Sequence, residues 1–481
     1  MQQAQQPRIV VIGAGAAGLG AATKLKALGF TDITLVEACE TFGGRIAKTS
    51  IGKACVDTGA QYIHGASEKN PVFNLFKNYE LLSQVPEEGR RIFYQNNGCK
   101  VDEDFSERVC EVGEKIIYQS GTSNYKSIGE LFEKESQSAI ENCEADKKKI
   151  MESILALVGK ELMLDIGASN LHNVSSDSWQ YFINMGEDLN VEGLMFQMLE
   201  KFAMDFPKEH LLLKKVVNKI EWDGSFPGKE GLVYPVRILC EDGGEILADH
   251  VIVTISLGCL KAQASTLFNP SLPPEKTEVI DKLCFGNLGK IFLEYEEAFW
   301  ESDVSNISFV WEDDSVASLC TDKTQWLKYL QLFSVMRPKE KFGNILIGWC
   351  PGDIADLIET LPKEELTTAI TEHIRKFIGN PQILPPKTLL CTQWRSNNFV
   401  RGALTFLPVG VDGKTMDILA EPLAGNKNPS KDLQVLFAGE ATIKSLYGTV
   451  QGALTSGQRE AERLAQHYGR TVPSTIPSPQ T

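Results

Sequence analysis

A short apolar run that breaks into three glycines constrains the fold of this chain more than any other feature. Residues 9–12 read IVVI, and Gly13, Gly15 and Gly18 follow in the spacing G-x-G-x-x-G before small residues with helical spacing. In a strand–turn–helix unit the first glycine makes the turn, the second lets backbone approach a phosphate, and the third lets helix pack on strand. The helix start then offers amide donors and a partial positive charge. The pattern predicts a βαβ unit that binds a dinucleotide.

Three further features favour FAD over NAD as that dinucleotide, and the first, a glycine pair and an arginine that follow Glu37, lies close to the glycine turn. Glu37 follows Gly13 by 24 residues, which is close to the spacing of an acid that binds ribose hydroxyls. Gly43, Gly44 and Arg45 come soon after Glu37. Two glycines let backbone approach a diphosphate, and an arginine neutralises its charge through paired hydrogen bonds.

The second feature lies more than 400 residues after the glycine turn. Residues 437–440 read FAGE and close an expected strand, and a helix expected over about 449–468 begins amid small residues. Such a helix start can approach a flat ring, and its dipole stabilises negative charge on a reduced flavin. The third feature is Val216-Val217, on another expected strand, which offers backbone contacts to an adenine. Together with the glycine turn, these segments predict cofactor contacts at Ala17, Val217, Glu440, Thr449 and Val450.

The composition excludes some classes of protein and favours others. The 481 residues are 43% hydrophobic and 23% charged, with a net charge of −15, which is ordinary for a globular protein of several domains. Nucleic-acid binding depends on clustered lysine and arginine, so we expect no nucleic-acid partner. The acidic charge serves solubility, and it also raises the local concentration of cationic small molecules.

The cysteines and the ends of the chain bear on chemistry and location. The eleven cysteines form no Cys-x-x-Cys pair and the six histidines are isolated, so we expect free thiols and no metal site. We find no signal-peptide pattern and no run of the roughly 20 apolar residues that a membrane span needs. The chain ends in PQT, unlike a Ser-Lys-Leu address. We expect a cytoplasmic protein, without membrane contact, as a monomer or weak homodimer.

The order of strand-like and helical segments predicts an α/β fold, α+β overall, with a cofactor domain made of separated pieces. We assign residues 1–85, 205–300 and 390–470 to a Rossmann-like FAD-binding domain. Residues 86–204 and 301–389, with helical periodicity followed by further strands, form an interleaved substrate domain of mixed sheet and helices. The Pro/Ser/Thr-rich residues 471–481 are expected to be a disordered tail.

Taken together, the motifs resemble those of the flavin-dependent amine oxidases, with the animal acetylpolyamine and spermine oxidases as the nearest branch. The resemblance covers nearly the whole chain. It implies noncovalent FAD, because no cysteine lies between Trp394 and Phe406, where covalent-flavin monoamine oxidases carry theirs. The motifs that carry it are the glycine turn with Glu37, Gly43-Gly44-Arg45, Tyr62-Ile63-His64-Gly65, GKIFLE over 289–294, Gln393-Trp394 and FAGEAT over 437–442.

The resemblance also implies roles for individual residues. Lys290 matches a lysine that holds a water against the reactive flavin nitrogen, and alternation places it on one face of its strand with Phe292 and Glu294. His64 matches a histidine that faces the amine, where a neutral imidazole accepts a hydrogen bond. Glu187 aligns loosely with an acid that binds a distal ammonium group.

Aromatic walls complete the implied site, and here the chain departs from the family. Trp394 and Tyr447 are expected to flank the flavin, where aromatic faces orient a cationic amine. Gln61 and Tyr62 replace a Trp-containing segment, and Leu404 stands where the family has a second aromatic wall opposite Tyr447. We expect Gln61 to contact the cofactor, and Tyr62 and Leu404 to contact the substrate.

The implied activity is FAD-dependent oxidation of spermine or of acetylated spermine or spermidine by hydride transfer to the flavin. The products are an aldehyde, a shorter amine and hydrogen peroxide, and the family also allows a peroxisomal location. Two alternatives stay open. One is a flavin oxidase of another amine or of an amino acid; an amino acid would need an arginine to bind its carboxylate, such as Arg395 or Arg401. The other alternative is a flavin-binding protein with little turnover.

Overall fold

The computed structural model describes residues 6–118, 124–425 and 432–471. The expected tail, apart from Thr471, lies outside these residues. The α-helices of the described residues, numbered α1 to α13 in chain order, span Ala16–Ala27, Pro71–Asn78, Glu103–Tyr118, Ile128–Glu141, Lys148–Ile166, Met195–Ala203, Leu257–Leu267, Pro274–Lys282, Lys339–Phe342, Gly352–Ile358, Lys363–Ile378, Thr415–Ala420 and Val450–His467.

The strands of the same residues are numbered β1 to β23. They span Ile9–Ile12, Ile33–Val36, Lys48–Ile51, Ala54–Asp57, Tyr62–Ile63, Arg90–Gln95, Leu189–Asn190, Leu211–Leu212, Val217–Glu221, Phe226–Pro227, Val233–Tyr234, Val236–Cys240, Glu245–Ala248, His250–Val253, Phe268–Asn269, Cys284–Phe285, Leu288–Glu294, Val304–Val310, Leu332–Val335, Ile345–Pro351, Thr388–Cys391, Thr405–Phe406 and Val435–Phe437.

A five-stranded parallel sheet forms the cofactor side of the molecule, in the order β23-β14-β1-β2-β8. Strands β1, β14 and β23 are fully buried, as their apolar, β-branched sequences require in a sheet covered on both faces. Because the carboxyl ends of parallel strands meet at one edge, the glycine turn after β1 and the segment after β23 lie close together. The strand–turn–helix prediction for the first residues is confirmed.

Helices α1 and α13 pack against each other at backbone distance, which explains the small residues in both. A Cβ added at Gly20 would lie 2.8 Å from the Leu454 carbonyl oxygen, and one at Gly457 would lie 1.9 Å from the Ala17 carbonyl oxygen. Side chains at either position would force the helices apart. Helices α1 and α13, which are far apart in the sequence, are therefore fixed to each other beside the glycine turn.

A second sheet of six strands, in the order β21-β17-β20-β19-β18-β6, supports the other side. It is antiparallel except for the β18–β6 pair. Helices α3, α4, α5 and α11 contribute buried residues to one large apolar cluster with this sheet. A four-stranded sheet, β13-β12-β9-β15, lies beside the parallel sheet. The α/β fold class is confirmed.

The domain boundaries remain a prediction, and two elements bear on them. Strand β17 lies within the range 205–300 assigned to the cofactor domain, yet it is an inner strand of the six-stranded sheet. Helix α6 lies within the range 86–204 assigned to the substrate domain, yet its Met195 and Leu199 belong to the apolar cluster around α1. The positions of β17 and α6 depend on strand pairing and helix packing with residues far away in the sequence. The sequence pattern within each element does not reveal those partners.

Candidate active site

A single cavity of about 1620 Å³ brings the predicted site residues together. It is larger than the 300–1,000 Å³ or so of most small-ligand sites. Of the residues predicted from sequence, Gly18 and Glu187 do not line it. Those that do are Gly13, Gly15, Ala17, Glu37, Gly44, Arg45, Gln61, Tyr62, His64, Val217, Lys290, Trp394, Leu404, Glu440, Tyr447, Thr449 and Val450.

The glycine turn shapes one end of this cavity by the absence of side chains. Gly13 has φ +101°, a conformation that favours glycine. A Cβ at Gly15 would make only ordinary contacts, the nearest 3.6 Å from the Gly43 carbonyl oxygen. At Gly18 a Cβ would lie 1.8 Å from the Gly13 carbonyl oxygen. Gly18 therefore serves close packing of helix on strand, and Gly15 leaves its backbone open to a ligand.

Glu37 is buried at the end of β2 and is held by backbone donors. Its two carboxylate oxygens accept hydrogen bonds from the Ala14 amide at 2.8 Å and from the Cys39 amide at 2.9 Å. Burial and the nearby negative charge of Glu37 together raise the pKa of the Cys39 thiol to about 11. The geometry fixes an acid at the cavity wall, where a ribose hydroxyl can donate to it.

Arg45 and Glu440 tie three distant segments together around the cavity. Arg45 Nη1 donates to Glu440 Oε1 at 2.9 Å and to the Ala403 carbonyl at 2.8 Å. Glu440 also accepts from the Thr405 hydroxyl at 2.9 Å and from the Gly448 amide at 2.8 Å. Glu440 is 3% exposed and satisfied on both oxygens. It therefore positions Arg45 and the start of α13.

The residues present fit a flavin dinucleotide. The α1 start lacks side chains where a diphosphate needs backbone amides, and Arg45 lies within the same cavity. Thr449 caps α13 by accepting from the Gly452 amide at 3.0 Å, which places a second helix N-terminus at the cavity wall. The side chain of Gln61 has a buried amide nitrogen without a hydrogen bond to a described residue. This set would hold the phosphates, ribose and ring of FAD.

Lys290 lies deep in the cavity wall on β17, with 3% of its surface exposed. Its Nζ donates to the Asp57 carbonyl oxygen at 2.9 Å and to Gln61 Oε1, and pairs with Glu192 Oε2 at 3.4 Å. Its ammonium also lies 5.0 Å from the centre of the Trp349 ring. Burial lowers the pKa of Lys290, and the charges of Glu192 and Asp57 oppose that shift.

Asp57 and Glu192 are site residues that the sequence reasoning missed. Burial raises the pKa of Glu192 to about 7, with Lys290 opposing the rise. Burial also raises the pKa of Asp57, whose carboxylate accepts from the Met195 and Phe196 amides at the start of α6. Lys290 therefore sits in a compact buried group with two acids, which is a typical arrangement at functional sites.

His64 forms a pair with Asp188 at the cavity surface. Its Nδ1 lies 2.6 Å from Asp188 Oδ2, and the Gly65 amide donates to Asp188 Oδ1 at 2.9 Å. Asp188 raises the pKa of His64 although burial acts in the opposite direction. Because Asp188 accepts only, the neutral imidazole carries its proton on Nδ1 and presents Nε2 as an acceptor.

The predicted distal acid, Glu187, is exposed and lies outside the cavity lining. Its carbonyl oxygen accepts from the Ala66 amide at 2.7 Å, and the next residue, Asp188, lines the cavity. The acid that faces the cavity is thus its neighbour. A local match to the family pattern does not distinguish two adjacent acids.

Two further carboxylates line the cavity beyond His64, and neither was predicted. Asp165 comes from the last turn of α5 and Glu114 from α3. Desolvation by the surrounding protein raises the pKa of Asp165 to about 7; nearby His64 opposes the rise, and Glu161, Asp188 and Glu114 add to it. Within the described residues Asp165 has no hydrogen bond or ion pair, whereas Glu161 pairs with Arg91. This end of the cavity has more acids than fixed cations.

The predicted aromatic walls all reach the cavity. Tyr447 is 7% exposed, and its hydroxyl donates to the Ser178 carbonyl at 2.7 Å, which fixes its ring. Leu404 Cδ1 lies 3.4 Å from the position of a Cβ on Gly448, so Leu404 is next to the Tyr447 segment. The Tyr62 ring centre lies 6.2 Å from that of His64. Trp349, 6.5 Å from Tyr62, is a further aromatic that the sequence did not indicate.

The two candidate carboxylate clamps differ in position. Arg395 lies outside the cavity lining and pairs with Asp356, with Nε at 3.1 Å from Oδ1. Arg401 lines the cavity, and its Nε is buried without a hydrogen bond to a described residue. Arg395 is thus excluded as a clamp by its partner and its position.

Of the residues that were missed, Asp188 had a usable signal in the sequence. It directly follows Glu187 in a segment already singled out for an acid. Asp57, Asp165 and Glu192 had no such signal, because their role depends on burial and on partners far away in sequence. Their pKa values depart from the ordinary range only in the folded chain.

Comparison with known proteins agrees with this geometry. The chain is 34% identical to a peroxisomal N(1)-acetyl-spermine/spermidine oxidase of Bos taurus, over 95% of this chain and 94% of that protein. The Homo sapiens protein of the same name is 33% identical over 98% and 97%. A lysine-specific histone demethylase 2 of Homo sapiens is 27% identical over 95% of this chain and 53% of its own length.

A family model described as flavin containing amine oxidoreductase matches residues 16–465. This match covers the six-stranded sheet, the parallel sheet apart from β1, and all the predicted motifs after the glycine turn. It confirms FAD as the cofactor, as the glycine turn, Glu37 and Arg45 predicted. By sequence, by fold and by the residues that line its cavity, the chain belongs to the flavin-containing amine oxidoreductase family.

Proposed function

We propose that the protein oxidises polyamines, either spermine or acetylated spermine or spermidine. The observation that carries the proposal is the excess of carboxylates at one end of the cavity, with Asp165 facing it without a partner among the described residues. A chain of amines with several positive charges satisfies Asp165, Glu114 and Asp188 together, which a single charge cannot do. The names of the two mammalian relatives above support the same substrates.

The acids fix the register of the substrate along the cavity. Ammonium groups bound at Asp165 and Glu114 hold the chain so that a nitrogen nearer Lys290 and His64 carries the reacting carbon. FAD, held by the glycine turn, Glu37 and Arg45, would supply the acceptor for the hydride of that carbon and would pass the two electrons on to oxygen, giving hydrogen peroxide. Water then hydrolyses the imine left from the amine to an aldehyde and a shorter amine.

His64 prepares the amine for this step. An amine next to the reacting carbon must be neutral to release a hydride easily, so its proton must leave first. His64 Nε2 accepts that proton, and Asp188 stabilises the imidazolium through Nδ1. Lys290 remains buried beside Glu192 and Asp57 and provides a positive charge in the wall.

The proposal has a direct test with the FAD-loaded protein. Spermine, N1-acetylspermine, spermidine and a set of amino acids are offered under air, and peroxide release is measured for each. We expect peroxide from at least one polyamine, with Asp165→Asn raising the KM for spermine about tenfold or more, since a charge-assisted contact is lost. Exposed Glu187→Gln is the matched control and is expected to leave KM within about twofold.

Two results of the same assay favour other functions. Peroxide from an amino acid alone favours the second candidate, for which Arg401 is the candidate clamp that lines the cavity; Arg401→Met would then abolish it. A yellow protein that releases no peroxide with any of these compounds contradicts the proposal and leaves a flavin-binding protein with little turnover.

Location and assembly belong to the same proposal. No helix among the described residues is both long and apolar enough to cross a lipid bilayer. We propose a cytoplasmic protein that is a monomer or weak homodimer, with the peroxisome as the alternative because the mammalian relatives are named peroxisomal. Light scattering of the holoenzyme and microscopy of a tagged chain test the two statements.

A further inference from the structure

Arg401 differs from the other lysines and arginines of the large cavity in having no carboxylate partner. Among the described residues, four such cations line that cavity, namely Arg45, Lys215, Lys290 and Arg401. The first three form ion pairs with Glu440, Asp242 and Glu192 respectively. Within the same residues Arg401 forms no ion pair, and its guanidinium makes one hydrogen bond, from Nη2 to Asn398 Oδ1 at 3.2 Å. The charge of Arg401 is therefore not balanced by a described side chain.

Two sets of contacts place Arg401 beside Arg45. Arg45 Nη1 donates at 2.8 Å to the carbonyl of Ala403, which follows Arg401 by two residues. Arg45 Cζ also lies 5.4 Å from the centre of the Phe285 ring, and a Cβ added at Gly402 would lie 2.7 Å from Cδ1 of the same ring. Both arginines therefore lie at the end of the cavity that fits the phosphates of FAD.

The thiol of Cys259 lies within reach of both positive charges. Burial raises the pKa of this thiol, while the Ser256 hydroxyl and the charges of Arg401 and Arg45 oppose the rise. Cys259 lines the large cavity as well. The two guanidinium groups thus act on one part of the cavity wall.

The backbone of Arg401 is held in an unusual conformation. Its φ is +61°, in the left-handed region that residues other than glycine seldom adopt. The Arg401 carbonyl accepts from Arg395 Nη1 at 2.8 Å. The Ser256 hydroxyl, which caps α7, donates to the carbonyl of the preceding residue, Val400, at 2.6 Å. Such a conformation persists only where surrounding contacts impose it, and it is found most often at functional sites.

We propose that Arg401 binds the diphosphate of FAD and supplies the net positive charge that balances this dianion. Arg45 offers hydrogen-bond donors at the same place, but Glu440 already balances its charge. An arginine suits this ligand because its planar group donates paired hydrogen bonds to phosphate oxygens. Since FAD is the cofactor of the family, this role of Arg401 holds whichever amine is the substrate.

A diphosphate contact at Arg401 also bears on the choice of substrate. Arg401 is the candidate in the cavity wall for binding the carboxylate of an amino acid. An arginine bound to the diphosphate is not available to a substrate carboxylate. The amino-acid alternative then loses its clamp, which leaves a polyamine as the favoured substrate.

A second cavity offers Arg401 a different ligand. It has a volume of about 430 Å³, and the charged side chains that line it are Lys261, Asp281, Arg395 and Arg401. A small anion bound there would draw the Arg401 guanidinium away from the large cavity. This cavity has two other cations for such an anion, whereas the large cavity has only Arg401 without a carboxylate partner. Lys261 lines the second cavity alone and therefore separates the two roles.

The test observes the two phosphorus atoms of bound FAD directly, by phosphorus NMR of the FAD-loaded protein without any amine. Arg401→Gln removes the charge, and Arg401→Lys keeps it without the planar group. We expect the diphosphate resonances to move in both variants. The rate of FAD release, measured from the fluorescence of freed flavin, should rise at least about tenfold in Arg401→Gln and less in Arg401→Lys.

Salt gives a second measurement of the same contact. Added KCl screens the attraction between a cation and the diphosphate, so it should accelerate FAD release from the unchanged protein. The acceleration should be weaker in Arg401→Gln, because the screened charge is absent. Lys261→Gln is the matched control for loss of a positive charge, and it should leave the resonances in place and the release rate within about twofold.

Inorganic phosphate tests the second cavity. At equal ionic strength, phosphate and KCl should have the same effect on FAD release if Arg401 serves the diphosphate. A faster release with phosphate that disappears in Lys261→Gln would assign Arg401 to an anion in the second cavity and overturn the proposal.

Two further results would contradict a diphosphate contact. They are unchanged phosphorus resonances with an unchanged release rate in Arg401→Gln, and an effect of Lys261→Gln as large as that of Arg401→Gln. If Arg401→Gln does not fold or retains no FAD, Arg401→Lys decides, since moved resonances support the contact and unmoved ones exclude it. Because no amine is oxidised, a failure of the proposed polyamine activity leaves these readings intact.

Discussion

The two ends of the cavity recognise their ligands by different physical means. The cofactor end is shaped by backbone and by the absence of side chains, as at Gly13 and Gly15, and Arg45 there is already paired with Glu440. The substrate end is defined by titratable side chains, among them Asp165 and His64, whose pKa values are shifted by burial and by each other.

This difference determines how each end responds to change. Close packing tolerates almost no added atom, so a substitution at the cofactor end acts on FAD retention and stability. A charged group in a cavity responds to pH and to its neighbours, so a substitution at the substrate end acts on rate, KM and pH dependence. Three predictions test this separation, ordered from the largest expected effect.

The largest effect is expected for Gly18→Ala at the cofactor end. The added Cβ would lie 1.8 Å from the Gly13 carbonyl oxygen, so helix and strand must separate, at a cost of about 3 kcal/mol or more. We expect loss of FAD and a lower unfolding temperature, measured by visible absorbance and calorimetry. Gly243→Ala is the control, since its φ of +80° is left-handed but nothing lies within 4 Å of the added Cβ. It should cost about 1 kcal/mol and retain FAD; equal effects of the two variants would contradict the assignment.

The second effect is expected for Asp188→Asn at the substrate end. The imidazole loses the carboxylate that raises its pKa and stabilises its charged form. We expect kcat/KM to fall about 100-fold and the acid limb of the pH profile to move to lower pH, with FAD retained. His64→Asn should remove that limb altogether. An acid limb that stays in place in Asp188→Asn would show that His64 does not set it.

The smallest effect is expected from pH alone. The pKa of the Asp165 carboxyl is raised by burial to about 7, so the group is ionised above that pH and becomes neutral below it. The KM for spermine should therefore rise about tenfold between pH 8 and pH 6, because the cation loses its partner. Asp165→Asn should show a flat dependence over this range, and Glu187→Gln should follow the unchanged protein. The same slope in both variants would assign the dependence to another group.

Sequence reasoning succeeded where function depends on local backbone. The spacing of Gly13, Gly15 and Gly18, the position of Glu37 and the pair Gly44-Arg45 specify a turn and its ligand within short segments. It also found Lys290, because strand alternation and the family motif agree. It did not find Asp57 and Glu192, since nothing near them in the chain indicates that they meet Lys290.

By itself, then, the sequence determined the parallel βαβ unit, the FAD site and the amine oxidoreductase family, because these follow from short-range spacing that any chain with the motif must obey. Only the tertiary structure decided which acid faces the cavity, that Lys290 is held by Gln61, Asp57 and Glu192, and that Asp165 lacks a partner among the described residues. The physical reason is that side-chain direction, burial and pKa depend on contacts between segments far apart in the chain, which exist only once the sheets and helices have packed.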